Sequence, residues 1–235
     1  AEESPVESQE MIAGSGEVVS VYRDEWGVPH IFADTEIGAS YALGYCMAED
    51  RLEDILKNIL IATGYAAKHF GPEFIPTDVG MRMIQNDEVT REYYDTSTHV
   101  VTRLSKATAD GIRMYMKDNP GDVPEWAPAV EDHHPLAIGR LMILQWPLGT
   151  IMDDYGDRDK PQNLPPQQGS NGWAVSPERT SMGSAMLLAD PHLTWGSLQY
   201  FYEARVRGGQ LAMAGYFIPG VPLLGIGHTD NVRFA

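Results

Sequence analysis

The chain has 235 residues, with 17 Lys plus Arg against 33 Asp plus Glu and a formal net charge of −16. So acidic a surface repels phosphate backbones and anionic bilayers, which argues against nucleic acid or a charged membrane surface as partner. With 43% hydrophobic and 21% charged residues the composition is globular, and no apolar run reaches the roughly 18 residues of a membrane span.

Residues 1–16 are acidic and rich in Gly and Ser, and are expected to form a flexible tail. The polar start Ala1-Glu2-Glu3-Ser4-Pro5, which lacks Met, fits either what signal-peptide removal leaves or the cut edge of an expressed segment, and a periplasmic or secreted protein is expected. Residues 17–22 are β-branched and predict a strand. Asp24-Glu25-Trp26-Gly27 is a turn, and Val28–Phe32 returns as a second strand, with Pro29 near an edge. Asp34 or Thr35 caps a helix that runs on through Ile37 and Ala39–Leu43.

Residues 48–69 predict a long helix ended by Gly71-Pro72. Leu52, Ile55, Leu56, Ile59 and Leu60 share one face, with Asp50, Glu53, Asp54 and Lys57 on much of the other. Residues 87–117 read as further helix, and Asn119-Pro120-Gly121 as a turn. Leu136–Trp146 reads as another helix. The polar, Pro-rich stretch 156–169 is the clearest linker. Strands are then expected at 173–175, 185–189, 198–206 and 211–217. A helix-rich segment 17–155 and a strand-rich segment 170–235 point to two parts with different roles. The end, Arg233-Phe234-Ala235, stops inside an apolar pattern, which suggests a longer chain.

Few residues carry a local signature of chemistry. The single Cys46 can form no intrachain disulfide and no cysteine-based zinc site, and its apolar helical setting favours a buried structural thiol. Asp132-His133-His134 is the densest imidazole cluster, but adjacent residues rarely face one ion, so a polar loop before a helix is expected. Asp153-Asp154 and Asp157-x-Asp159 offer hard oxygens without the EF-hand pattern, and read as solvated loop on spacing alone. Neither glycine-rich phosphate fingerprint occurs, nor a Gly-x-Ser-x-Gly elbow.

Ser170 remains. It follows Gly169, at the end of the linker, and opens the strand-rich region. Cleavage of the Gly169–Ser170 bond would leave Ser170 as an N-terminus carrying its own base. An α-amine, with a pKa near 7.7–8, suits proton abstraction near neutral pH. Gly-Ser-Asn is also an ordinary turn, so local sequence leaves both readings open.

Ser170-Asn171-Gly172-Trp173-Ala174-Val175, followed by Ala189-Asp190-Pro191-His192-Leu193, resembles the start of the nucleophile subunit of penicillin acylase-type N-terminal nucleophile hydrolases. This family includes penicillin amidases, acyl-homoserine lactone acylases and cephalosporin acylases. Arg23-Asp24-Glu25-Trp26-Gly27-Val28-Pro29-His30-Ile31, Tyr41–Tyr45 and Ala48–Leu52 resemble the other subunit. Pro219–Pro222 and Gly225–Thr229 extend the match in the family's order.

The resemblance implies an α+β fold, a four-layer αββα sandwich only partly contained in this chain. It implies autocatalytic cleavage at Gly169–Ser170 and acyl-amide hydrolysis through an acyl-enzyme on Ser170. His192 would neighbour the nucleophile, orienting its amine and offering a backbone N–H to the oxyanion. Leu193 would line the acyl pocket, with Trp146 and Met142 as weaker candidates. Arg23 and Asp24 read as structural. Asp153 falls near a segment that binds calcium in some relatives; the chemistry itself implies no cofactor. The partners implied are a small-molecule acyl amide and the remainder of the nucleophile subunit, with no nucleic acid and no membrane span. The family's main oxyanion donors and a later Arg fall beyond Ala235, and Asn231 has the wrong spacing to replace the missing Asn. A non-catalytic or unprocessed relative serving as a binding scaffold is the alternative, and an unrelated acidic ligand-binding domain a third reading.

Overall fold

The computed structural model describes residues 7–156, 169–193 and 200–234. The expected hairpin is present. β2 (Val18–Arg23) and β3 (Pro29–Ala33) pair antiparallel, with Val21 opposite Ile31. Asp24 closes the turn, accepting the Trp26 and Val28 amides at 3.0 Å each. The expectation of a tail over residues 1–16 needs correction, because Glu7–Ile12 form a strand, β1, antiparallel to β2. Its inner end ties it down: Met11 and Ala13 face inward and are buried while Ile12 faces out, and Ser8, Gln9 and Glu10 stay exposed along the edge.

Helix α1 (Glu36–Thr63) joins two stretches expected to be separate, with a kink at Arg51 (φ −146°, ψ 35°). Thr35 is its N-cap, its side chain accepting the Gly38 amide at 3.0 Å. The helix ends at Gly64 rather than at Gly71. Gly64 adopts the left-handed conformation (φ 73°) that lets its amide turn back to the Ile61 carbonyl. The predicted apolar face of Leu52, Ile55, Leu56, Ile59 and Leu60 is buried throughout.

Short helices α2 (Ala67–Phe70) and α3 (Ile75–Met83) follow. The single helix expected over 87–117 is two, α4 (Asn86–Thr96) and α5 (Val100–Asp118). Ser97 is extended between them, and His99 caps α5 by accepting the Val101 amide. Helices α1 and α5 cross closely because Gly44 of α1 and Gly111 of α5 each lie against the backbone of the other helix. A Cβ on Gly111 would run into the Tyr41 carbonyl, and one on Gly44 into the Thr108 backbone. α6 (His134–Gly156) is longer than predicted and runs through Pro147.

β4 (Gly169–Val175) and β5 (Met186–His192) form their own two-stranded ribbon. β6 (Tyr202–Gly208), β7 (Leu211–Phe217), β8 (Leu224–Thr229) and β9 (Arg233–Phe234) complete a seven-stranded sheet of order β1-β2-β3-β6-β7-β8-β9. All its neighbours are antiparallel except β3 and β6, which run parallel. The fold is therefore α+β. The two expected segments, 17–155 and 170–235, are not separate bodies, since strands of both complete one sheet. One face carries Val19, Val21, Ile31, Ala204, Val206 and Phe217 into the core shared with α1. The other leaves Tyr22, Phe32 and Tyr216 exposed.

Candidate functional site

Ser170 lies in β4 directly opposite Pro191, and Gly169 opposite His192. The hairpin thus brings the proposed nucleophile and its proposed neighbour onto adjacent strands, 22 positions apart in sequence. Side chains alternate along a strand, and cross-strand partners share a face. The Ser170 hydroxyl and the His192 imidazole therefore leave opposite faces of the ribbon. His192 shares its face with Asn171 and Asp190: its Nε2 is 2.9 Å from Asp190 Oδ2 and 3.4 Å from Asn171 Nδ2. Nε2 donates to the carboxylate, which leaves it no lone pair for the Asn171 amide. Any contribution of His192 on the Ser170 side must come from its backbone.

The ribbon is thinly covered. Ser170 and His192 are exposed, as are Trp173, Met186, Leu187 and Leu188. Leu193, just after β5, is half-buried. Among the described residues the Ser170 side chain has no hydrogen-bond partner. Trp146 and Asp153 fall in the last part of α6, where side chains lie outside the described residues, and so do 157–168 of the expected linker. Met142, the weaker pocket candidate, lines an apolar groove of about 570 Å³ between α4, α6 and the β7–β8 loop, with Tyr93, Ile143, Pro222, Leu223 and Leu224. The fold puts Tyr202 into the core and turns Arg205 and Arg207 outward.

The imidazole cluster is less bland than its sequence suggests. His133 and His134 are both buried, and both approach Asp87 at the start of α4. The three donor groups lie within 4.8 Å of one another. Their hydrogen bonds nonetheless describe a polar knot rather than a metal cradle. His133 Nε2 meets Asp87 Oδ1 at 2.6 Å, and Arg91 bonds both Asp87 and Glu131. The Glu131 amide donates to His134 Nδ1 at 3.1 Å. A neutral His134 therefore carries its proton on Nε2, the atom a metal would need bare. Burial, with His133 beside it, pulls the His134 pKa down to about 4. Asp132, part of the same sequence triplet, points elsewhere and accepts from Tyr94 at 2.9 Å and Arg113 at 2.6 Å. Asp87 was missed because it lies 46 residues from its partner.

Cys46 is buried, and that burial pushes its thiol up to about 12, so it is no nucleophile. Arg23 is structural, as the sequence suggested. It donates to Glu49 at 2.5 Å, to Asp50 at 2.9 Å and to the Gly27 carbonyl at 2.8 Å. Asp24 serves the β2–β3 turn. No helix among the described residues is long and apolar enough to cross a membrane.

The ordered motifs and this ribbon define a family. Residues 18–235 match the family model of penicillin amidase, and the chain belongs to that family. Similar curated proteins include the acyl-homoserine lactone acylase PvdQ of Pseudomonas syringae pv. tomato. It is 22% identical over 253 residues, covering 92% of this chain and 33% of that protein. Penicillin acylase 2 proenzyme of a Pseudomonas species is 25% identical over 275 residues, covering 93% and 36%. The chain thus spans about a third of the length of these relatives. Among solved structures, a thermostable penicillin G acylase from Alcaligenes faecalis is similar at 22% identity. It has a TM-score of 0.47 over 61% of this chain and 76% of that one.

Proposed function

We propose that this chain carries the nucleophile of an acylase that hydrolyses linear acyl amides. The observation that supports it most is the penicillin amidase match over 18–235 together with the hairpin that pairs Gly169-Ser170 with Pro191-His192. In the proposed processing step the Ser170 hydroxyl attacks the Gly169 carbonyl carbon. The Gly169–Ser170 C–N bond breaks, an ester forms, and the nitrogen leaves as the Ser170 α-amine. Water then hydrolyses the ester, freeing the Gly169 carboxylate and restoring the hydroxyl.

In turnover the same hydroxyl attacks a substrate amide carbonyl, while the α-amine takes its proton, directly or through a water. The tetrahedral intermediate expels the substrate amine, which receives the proton, and water releases the acid. The backbone N–H of His192 fits the role of oxyanion donor better than its imidazole, which faces away from the Ser170 hydroxyl. The apolar groove beside Met142 suits an aliphatic or aryl acyl group, since most of its lining is apolar and the Thr90 and Arg140 side chains in it are already bonded to Asn86. The exposed outer face of the large sheet, with Tyr22, Phe32 and Tyr216, and the uncovered ribbon suit a second sheet stacked in the four-layer manner.

The decisive experiment takes protein from the complete gene, follows intact mass and N-termini, and assays a panel of acyl amides. A fragment beginning at Ser170, with amine release lost in Ser170→Ala, supports the acylase. A stable unbroken chain, with no adduct from a serine-reactive acylating probe, supports the scaffold reading. That second reading draws on the exposed Ser170 side chain and its lack of a bonded base among the described residues.

A further inference from the structure

Tyr202 links the two segments of the chain through Asp50. The Tyr202 side chain opens β6 on its inner face and is buried. Its hydroxyl donates to Asp50 Oδ2 at 2.7 Å, and Arg23 Nη1 donates to the same oxygen at 2.9 Å. Arg23 sits on the inner face of β2, so Asp50 joins a strand of the first segment to a strand of the second. The kink in α1 falls at the next residue, Arg51. Burial, with Cys46 and Asp50 close by, pushes the Tyr202 phenol up, so it stays a donor. Burial works against the Arg23 charge, but its bonds to Glu49 and Asp50 outweigh that and keep it charged.

This link matters because β3 and β6 are parallel neighbours, which no tight turn can join. Their alignment depends on contacts made by each strand separately. At the far end of β6, the Gly209 amide donates to the Asp34 carbonyl at 3.1 Å and the Gln210 amide to Glu36 at 3.0 Å. At the near end, the polar contact is the part-buried bond from the buried Tyr202 to Asp50, whose carboxylate reaches the surface. Tyr202 follows His192 by about ten residues, so this end is also where the chain from the ribbon enters the large sheet. We propose that Asp50 is a positioning residue: by holding Tyr202 it fixes the start of β6 and thereby the place of the ribbon that carries Ser170 and His192. The inference rests on the reading of Ser170 as nucleophile.

The test uses the complete gene product. Tyr202→Phe removes one hydroxyl and keeps the ring. Asp50→Asn keeps an oxygen for Tyr202 but loses the charge that Arg23 pairs with. Tyr202→Phe is expected to slow appearance of the Ser170 fragment and lower kcat by about tenfold, the scale of one hydrogen bond to a charged group, with KM nearly unchanged. Asp50→Asn should do the same or more, and Tyr65→Phe, at an exposed position just after α1, should do neither. Deuterium uptake over 202–208 should rise in both Asp50 and Tyr202 variants, with α5 unchanged. A Tyr202→Phe protein that is cut and turns over at the wild-type rate overturns the proposal, even if its exchange rises, because the contact is then only structural. Should the wild-type chain be neither cut nor active, the acylase reading has failed on its own terms. Exchange then decides: faster uptake over 202–208 in Tyr202→Phe supports Asp50 as the anchor of β6, and unchanged uptake overturns it.

Discussion

The helix-and-sheet body and the β4–β5 ribbon obey different rules. The body is closed: α1 is buried along nearly its whole length, packed between α5 and the inner face of the sheet. The ribbon is open on both faces, and it holds the residues to which the chemistry is assigned. In the body each position answers to its neighbours' volume. In the ribbon, hydrogen-bond register alone sets which side chains share a face. The candidate catalytic residues are therefore placed relative to one another by strand pairing.

The largest effect that would break this contrast is functional. Ser170→Ala should reduce amide hydrolysis by roughly a thousandfold or more and stop fragment formation, while leaving the melting temperature of the body unchanged. Calorimetry and intact mass on one preparation check both halves. A fall in melting temperature of more than a few degrees would mean that the ribbon and body are one packed unit.

Next comes a pair of glycines. Gly111→Ala forces a methyl into the α1 backbone and should cost about 3 kcal/mol or more in urea unfolding. Gly172→Ala in the ribbon meets only the Leu188 carbonyl, at 3.8 Å, and should stay within about 0.5 kcal/mol. Similar losses at both sites would remove the distinction between the regions.

A third test uses pH. The folded chain holds His134 neutral, with a pKa near 4 against 6.5 unfolded, so between these values the unfolded state takes up a proton that the native state refuses. Stability is thus expected to fall as pH drops from about 6.5 to 4, by about 3 kcal/mol from this residue alone. His133, Asp87, Glu131 and Arg91 surround it, and the carboxyls of Asp87 and Glu131 are held below their usual range. For Asp87, burial opposes the shift, and the hydrogen bond from His133 and the nearby charges outweigh it. For Glu131, the bond from Arg91 is the leading cause. Those two add loss in the same direction at lower pH. His134→Gln should flatten the limb between pH 6.5 and 4 in urea titrations, and an undiminished slope would sink the assignment. The smallest effect is local: Thr35→Ala removes the α1 cap and should cost about 1 kcal/mol by the same titration.

Much of the architecture was legible because its signals are local. The apolar spacing of Leu52, Ile55, Leu56, Ile59 and Leu60 gave a helix face, Thr35 a cap, and the β2–β3 turn a hairpin. Residues 7–12 read as a tail because a polar edge strand buries only alternate small or flexible residues, here Met11 and Ala13. The Ser97 break between α4 and α5 was invisible because no Gly or Pro marks it. Of the candidate site, Gly169, Ser170, His192 and Leu193 came from ordered motifs, and the hairpin then put the first three on paired strands.

By itself, then, the sequence determined the apolar face of α1, the β2–β3 hairpin, the acidic charge balance, and the family motifs in their order. Those depend on side-chain type and spacing along the chain, which any reader of the sequence can see. Only the tertiary structure decided that strands of both segments share one sheet, that Asp50 joins Arg23 to Tyr202, and that Asp87 meets His133. It also set the Ser170 hydroxyl and the His192 ring on opposite faces of their ribbon. Each of these couples residues far apart in sequence, and such couplings are set by register, burial and hydrogen-bond satisfaction rather than by local pattern.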